Sequence, residues 1–204
     1  MNMKRIISLI LVLAACLGLF SVTATAADMP FTDVKPTAYY ADAVKWAVEQ
    51  GITTGTDATH FTPNAVCTRA QVVTFLWRAA GCPEVAENTV NPFTDVKAGA
   101  YYYDAVLWAV EQGITTGTTE TTFSPDATVS RAQAVTFMWR EAGSPAAEGT
   151  NPFADVAAGT YYADATLWAV NEGITNGTTV TTFGPAEGCT RAQIVTMLYR
   201  GLEA

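Results

Sequence analysis

Three arginines occupy the same place in a recurring motif, Thr/Ser-Arg-Ala-Gln. They are Arg69, Arg131 and Arg191. Each lies in the first turn of a predicted helix, where the helix dipole disfavours a cation, so helix stability does not explain the choice. The free N–H groups at a helix start can bind an anion, and a planar guanidinium beside them suits a carboxylate. We therefore expect these arginines to contact an anionic ligand; the alternative is a structural ion pair with an acid across a repeat boundary.

Acidic and aromatic side chains recur beside the arginines. Each copy of the pattern has an aspartate in a loop before a helix, where such side chains commonly accept hydrogen bonds from backbone N–H groups. Each also has a Tyr-Tyr pair, of which we expect one ring to pack inside and the other to keep an outer face exposed. A tryptophan within each first helix is predicted to be core. These residues are Asp33, Asp95 and Asp155; Tyr39 and Tyr40, Tyr101 and Tyr102, Tyr161 and Tyr162; and Trp46, Trp108 and Trp168.

The sequence contains no constellation typical of catalysis or of metal binding. The one histidine, His60, has threonine at the matching places of the other copies, and Cys67 and Cys189 match Val129. Hydrolysis needs paired carboxylates or a nucleophile with a base, and structural zinc needs four Cys or His ligands. We therefore predict a protein that is not an enzyme and needs no metal or other cofactor. The cysteines beyond the N-terminal segment, Cys82 included, are interpreted as small buried residues.

One unit of sequence recurs three times and positions all of these residues. Its landmarks keep a single offset, 62 residues between the first two copies and 60 between the last two. Each copy predicts helix, loop, helix. In the first copy the first helix runs roughly from Tyr40 to Gln50 and ends at Gly51, and the second begins with a capping box formed by Thr68 and Gln71.

The size of one copy indicates how the copies must associate. A unit of about 50 residues rarely buries enough apolar surface to be stable alone. Each copy must therefore bury its apolar face against the others. We predict an all-α fold in which three helix-loop-helix repeats form a closed, pseudo-threefold bundle. An open solenoid is the alternative, but its terminal repeats would normally be atypical.

The N-terminal segment resembles a secretion signal. Lys4 and Arg5 precede an apolar run, and an Ala-x-Ala cleavage site ends at Ala26, which predicts a signal peptide over residues 1–26. A lipoprotein processing box at Cys16 is the alternative, and would add lipid at that cysteine. The net charge of −8 becomes −10 without the two N-terminal cations. So acidic a chain is not expected to bind nucleic acid, nor a membrane directly unless Cys16 is lipidated.

Five motifs in fixed order resemble the S-layer homology (SLH) repeat from Phe31 to about Arg200. They are Phe-x-Asp-Val, an aromatic pair, Gly-Ile-x-x-Gly, Phe-x-Pro and Thr-Arg-Ala-Gln. The resemblance implies a three-pronged bundle that docks on secondary cell-wall polysaccharide of Gram-positive-type bacteria, often through a pyruvylated amino sugar. It also implies ligand contacts from the arginines above and from Tyr39, Tyr101, Tyr161, Gly55, Gly117 and Gly177. Two departures stand out, because the family usually has Glu in place of this Gln and Trp in place of this Tyr.

These observations predict a secreted protein of the cell wall or cell surface. The repeats are expected at residues 31–82, 93–143 and 153–204, after the signal peptide. The predicted function is non-covalent attachment to the wall, by binding an anionic sugar of the secondary polysaccharide in grooves between repeats. The alternative is a structural or adaptor protein whose main partner is another surface protein.

Overall fold

The computed structural model describes residues 29–203, so the predicted signal peptide and Cys16 lie outside the described residues. Within that range the chain forms six α-helices, two in each repeat. They are α1 (Ala41–Glu49), α2 (Arg69–Ala79), α3 (Tyr103–Glu111), α4 (Arg131–Glu141), α5 (Ala163–Asn171) and α6 (Arg191–Glu203). The described residues contain no β-strand, only isolated bridges, which confirms the all-α prediction.

The first helix of each repeat forms where the sequence predicts it. In α1, Ala43, Val44 and Ala47 lie on one face and are almost completely buried. The helix ends before Gly51, whose φ of 69° is the left-handed conformation that a glycine tolerates without steric cost.

Capping boxes begin the second helices α2 and α4. The Thr68 side chain accepts a hydrogen bond from the Gln71 N–H, and the Gln71 side chain accepts one from the Thr68 N–H at 3.0 Å. The same reciprocal pair joins Ser130 and Gln133. At the start of α6 the corresponding two bonds also form, between Thr190 and Gln193. Glutamine therefore performs the capping function that a glutamate would perform at this position.

Helices pair across repeat boundaries, and the pairing closes into a ring. α2 packs against α3, α4 packs against α5, and α6 of the third repeat packs back against α1 of the first. These three pairs are the prongs. The second helices meet in the middle, since α2 also contacts α4 and α6. The structure therefore confirms the closed bundle and excludes the open solenoid, in which the first and last repeats would not touch.

A ring of three backbone hydrogen bonds lies where the repeats meet. The Cys67 N–H donates to Cys189, the Cys189 N–H donates to Val129, and the Val129 N–H donates back to Cys67, each at 2.9 Å. All three side chains are fully buried, as expected for Cys67 and Cys189. The prediction was wrong for Cys82, which is exposed because it follows the end of α2 in a linker.

The recurring aspartates have a structural role, but their partners are distant in sequence. The Asp33 carboxylate accepts hydrogen bonds from the Phe61 and Thr62 N–H groups at 2.9 and 2.7 Å. Asp95 and Asp155 hold the equivalent loops in the same way. Each aspartate therefore joins the start of its repeat to the loop before the second helix.

The tryptophans of the first helices are buried, as predicted, at 8%, 5% and 5% exposure for Trp46, Trp108 and Trp168. Trp46 lies at the contact of α1 with α6, where its ring centroid is 5.6 Å from that of Tyr199. Between residues 29 and 203 no helix is long and apolar enough to cross a bilayer.

Candidate functional site

A cavity of about 410 Å³ brings together residues from all three repeats. Tyr39 comes from the first repeat, Arg131 from the second and Gly177 from the third. The wall on the third-repeat side also includes Gln193 and Arg200 of α6. Because helices pair across repeats, residues with distant sequence positions are adjacent here. We call this cavity the Tyr39 groove.

The first tyrosine of each pair is open to solvent, and the second packs on the core. Tyr39, Tyr101 and Tyr161 are 67%, 61% and 58% exposed. Their neighbours Tyr40, Tyr102 and Tyr162 are half-buried against the core and meet them edge to face, with ring centroids 5.0–5.1 Å apart. This confirms the prediction of one ring inside and one outside. The inner ring holds the outer one upright, so the outer face can stack on a sugar.

The arginine of each second helix is buried and held by the following repeat. Arg131 Nε donates to the Phe183 carbonyl at 2.8 Å, Nη2 donates to Thr175 Oγ1 at 3.4 Å, and the guanidinium lies 4.9 Å from the Phe183 ring. Neither hydrogen bond uses Nη1, which has no protein partner within the described residues. The arginine therefore locks two repeats together, and the donor nitrogen Nη1 is not used in that contact.

The same locking occurs at the other two repeat boundaries. Arg69 donates to the Phe123 carbonyl and Arg191 to the Phe61 carbonyl, both at 2.8 Å. Burial lowers the pKa of Arg69 and of Arg191, and nearby tyrosine charge opposes that shift. A guanidinium remains protonated under such a shift, since its usual pKa is far above neutral.

The helix N-termini beside the arginines are not free, so that part of the sequence-based expectation was wrong. The Arg69 N–H donates to the Ala127 carbonyl at 2.9 Å, and the Ala70 N–H donates to the Pro125 carbonyl at 3.0 Å. Loops of the next repeat thus occupy the donors that an anion would use. The alternative ion pair is absent as well: within residues 29–203 no salt bridge joins Arg69, Arg131 or Arg191 to an acid.

Backbone geometry requires the glycines of the Gly-Ile-x-x-Gly motif. Gly177 has φ of 80°, and a Cβ there would lie about 2.6 Å from the Thr179 carbonyl oxygen and closer still to Phe153. Gly55 and Gly117 are equally confined. The Gly177 N–H donates to Thr175 Oγ1, the oxygen that also accepts from Arg131. Gly177 lines the Tyr39 groove, and only glycine lets the backbone approach its neighbours so closely there.

A second arginine per repeat was missed at the sequence level. Arg200 lines the Tyr39 groove, and its Nη1 donates to the Ile174 carbonyl at 3.5 Å. Arg78 and Arg140 make the same contact with Ile52 and Ile114, at 3.2 Å. The signal was available, because these arginines keep the offsets of 62 and 60 residues that define the repeat.

The pseudo-threefold relation places the same components around the other two outer tyrosines. Arginine charges act on the outer tyrosine of each groove: Arg131 and Arg200 on Tyr39, Arg191 and Arg78 on Tyr101, and Arg140 and Arg69 on Tyr161. Burial is the largest effect on each tyrosine and raises its pKa, while the arginines partly oppose the rise. Each groove therefore combines two cations and one exposed ring. We name the other two the Tyr101 and Tyr161 grooves.

The described residues offer no evident centre for metal chemistry. No group of three or more His, Cys, Asp or Glu side chains between residues 29 and 203 is arranged to hold a metal ion. The one pairing of a histidine with a carboxylate there, His60 with Asp57, is exposed on a loop. The hydrogen bonds from Thr59 and His60 lower the pKa of Asp57 to about 2, so it remains ionised.

The chain matches a known family along most of its length. Residues 30–73, 92–135 and 152–195 each match the S-layer homology domain. The chain is 34% identical over 145 residues to a cell surface protein of Thermoanaerobacter kivui. The matched region covers 70% of this chain and 19% of that protein. It is 36% identical over 104 residues to a surface-layer 125 kDa protein of Lysinibacillus sphaericus, covering 51% and 9% of the two chains.

Proteins named as enzymes are also among the similar proteins, and an endoglucanase is one of them. The chain is 35% identical over 139 residues to an endoglucanase of a Bacillus species (strain KSM-635), which covers 65% of this chain and 14% of the endoglucanase. This chain thus spans less than a fifth of the length of these relatives. An S-layer homology domain is a wall-binding module and not a catalytic one, and two of these relatives are surface proteins. The chain is therefore a cell-surface or cell-wall-associated protein, and it belongs to the S-layer homology family.

Proposed function

We propose that this protein attaches non-covalently to the wall of a Gram-positive-type bacterium by holding an anionic sugar of the secondary cell-wall polysaccharide between its repeats. The convergence of Tyr39, Arg131 and Gly177 on one cavity carries this proposal, because three repeats supply one member each. The resemblance to the S-layer homology repeat implies ligand contacts from the same three residue types. A pyruvylated sugar suits the site, since its carboxylate is the group that a guanidinium binds best.

The electrostatics of the groove favour a small acidic ligand within an acidic protein. The chain carries a formal charge of −8, so its overall field repels an anionic polymer. Arg131 and Arg200 concentrate positive charge in the Tyr39 groove. A partly buried guanidinium is screened by water less than an exposed one, which strengthens its attraction for a carboxylate at short range. Binding is therefore expected to be local and selective.

Removal of the exposed rings tests wall attachment without disturbing the fold. In a Tyr39→Ala, Tyr101→Ala, Tyr161→Ala triple variant we expect co-sedimentation with purified walls to fall by about tenfold or more, because three stacking faces are lost. The three rings are more than half exposed, so the melting temperature should stay within a few degrees of the wild type. Phe at the same positions should retain most binding, since the ring face remains.

Control proteins and control walls separate this function from its alternatives. A Val90→Ala, Val180→Ala variant changes two side chains that are 82% and 85% exposed and outside the grooves, and should bind as the wild type does. Walls stripped of their secondary polysaccharide should retain little wild-type protein. Equal binding to stripped and intact walls would contradict the proposed ligand. It would instead favour an adaptor whose partner is a wall or surface protein.

A further inference from the structure

The three grooves differ at two lining positions, and both differences fall in the same groove. The Tyr39 groove carries Asn176 and Met197. At the equivalent positions the Tyr101 groove has Thr54 and Phe75, and the Tyr161 groove has Thr116 and Phe137. The neighbouring lining residues, including the Thr, Gly, Gln and Arg described above, are identical in all three grooves. The two changes are thus confined to one side of an otherwise repeated site.

Met197 removes an aromatic contact from the ligand-facing arginine. Arg69 lies near two rings, Phe123 at 4.8 Å and Phe137 at 5.4 Å. Arg191 likewise lies near Phe61 at 4.8 Å and Phe75 at 5.3 Å. Arg131 has Phe183 on one side and the flexible thioether of Met197 where the second ring would be. The Arg131 guanidinium is therefore less confined than its two counterparts, and Met197 can repack around a ligand.

Asn176 adds a hydrogen-bonding group that the other two grooves lack. Its side chain is exposed at the edge of the cavity, in the loop that holds Gly177. An amide offers two donors and an acceptor in one plane, whereas the threonine of the other grooves offers a single hydroxyl. A planar donor–acceptor pair can hold a neutral polar substituent of a sugar while Arg131 and Arg200 hold its carboxylate.

We infer that the Tyr39 groove is the dominant and most selective of the three sites, and that Asn176 and Met197 set its specificity for a carboxylate-bearing sugar with a second polar substituent beside the acid. This inference rests on the proposed function. The Tyr101 and Tyr161 grooves then act as weaker sites that add avidity on a polymeric wall. Avidity raises retention without requiring equal affinity at each site.

Variants with a single intact groove allow the three sites to be compared. Tyr101→Ala with Tyr161→Ala leaves the Tyr39 groove, and the two reciprocal double variants leave the others. Binding isotherms use walls that retain their secondary polysaccharide as the probe, with stripped walls as the blank. We expect the protein with only the Tyr39 groove to bind about tenfold more tightly than either of the others, since extra hydrogen bonds to a charged, polar ligand give differences of this order.

Exchange of the two positions then tests the residues themselves. In the Tyr39-only background, Asn176→Thr with Met197→Phe recreates the lining of the other grooves and should weaken binding by about tenfold. In the Tyr161-only background, Thr116→Asn with Phe137→Met should strengthen it. Met and Phe have similar volumes, and each is native at this position in one repeat or another, so melting temperatures should change little.

The outcomes distinguish this inference from the function on which it rests. If wild type prefers intact over stripped walls but the three single-groove proteins bind equally, the inference falls and the proposed function stands. Unchanged binding after the Asn176 and Met197 exchange in folded protein overturns it as well. If wild type does not discriminate between intact and stripped walls, both fall together. A Tyr39-only protein that binds most tightly and loses that advantage on exchange supports both.

Discussion

At the scale of single residues, the arginines of the second helices combine two tasks that mutation cannot fully separate. Arg69 is only 3% exposed and joins α2 to a loop 54 positions further along the chain. A residue with this burial and these partners contributes to the repeat interface whether or not a ligand is present. The exposed tyrosines carry no comparable structural contacts, which makes them the cleaner test of binding.

An Arg69→Ala variant should be less stable as well as weaker in wall binding. The change leaves the Phe123 carbonyl without a charge-assisted donor and removes two cation–π contacts. We expect a loss of roughly 2–4 kcal/mol and a melting temperature lower by roughly 4–16 °C. Lys45→Ala is the control, since Lys45 makes only an exposed 3.9 Å pair with Glu49. Thermal unfolding followed by circular dichroism checks this, and an unchanged melting temperature would show that the buried contacts are energetically neutral.

Glu141 is a half-buried carboxyl group whose ionisation opposes folding. It ends α4, where the helix dipole also disfavours a negative charge. Burial raises the pKa of Glu141 from 4.5 to about 7. The other repeats have Ala79 and Gly201 at this position, so no equivalent carboxylate is buried there.

Glu141→Gln should therefore stabilise the protein in a pH-dependent way. A raised folded-state pKa means that the protonated form of Glu141 is favoured on folding, so the contribution of this group to stability is full below about pH 4.5 and is lost as pH rises through 7. We expect the variant to gain about 1–3 kcal/mol at pH 8 and almost nothing at pH 4. Urea unfolding at both pH values measures the difference. The same gain at both, or in an exposed Glu111→Gln control, would rule out this cause.

At the scale of elements, the first helices of the three repeats are equivalent, but α5 differs from α1 and α3 at one buried position. Val44 and Val106 are fully buried in α1 and α3, and Thr166 is fully buried in their place in α5. The Thr166 hydroxyl oxygen is buried and has no hydrogen-bond partner among the described residues. A buried hydroxyl that has lost water without gaining a partner destabilises the folded state.

Thr166→Val should raise stability because it restores the side chain that the other two repeats use. The two side chains have nearly the same shape, so the change removes an unpaired hydroxyl without leaving a cavity. We expect a gain of about 1–2 kcal/mol, which in a protein of this size raises the melting temperature by roughly 2–8 °C. The reverse change, Val106→Thr in α3, should lower it by a similar amount. Calorimetry of both variants compares them, and a destabilised Thr166→Val would indicate a partner for the hydroxyl.

At the scale of the whole molecule, stability arises from the ring and not from any single repeat. Each prong is built from two repeats, and α6 closes the ring on α1. The Trp46 indole N–H donates to Glu203 at 2.9 Å across that closing contact, 157 residues apart in sequence. The central hydrogen bonds among Cys67, Val129 and Cys189 also need all three repeats at once. A repeat removed from the ring loses both its prong partners and its share of the centre.

A fragment of one repeat should consequently fail to fold. In residues 29–91 expressed alone, α1 lacks α6 and α2 lacks α3, so most apolar surface has nothing to pack on. We expect weak helical signal and no cooperative transition, whereas residues 27–204 should unfold in one sharp transition. Circular dichroism against temperature measures both. A sharp, native-like transition from the fragment would contradict a shared core.

Local patterns in the sequence determine the repeat boundaries, the helix starts and the helix ends, because these features depend only on neighbouring residues. The offsets of 62 and 60 residues define the repeats, the Thr-x-x-Gln spacing predicts the capping boxes, and Gly51 marks the end of α1. Helical periodicity and caps act within one or two turns, so they can be read without the fold. Residue type also predicted the buried tryptophans and one exposed ring in each tyrosine pair, but not which tyrosine of the pair is the exposed one.

Only the tertiary structure decided which repeat supplies each wall of a groove. Tyr39, Arg131 and Gly177 lie in different repeats, and no local pattern indicates that they meet. The occupied helix N-termini and the burial of the arginines result from loops of the next repeat packing against them. Ring closure itself reflects how three apolar faces share one core, because burying surface across repeats is favourable only when all three are present. Sequence spacing therefore defined the repeats and their helices, and long-range packing determined which residues of different repeats meet in each groove.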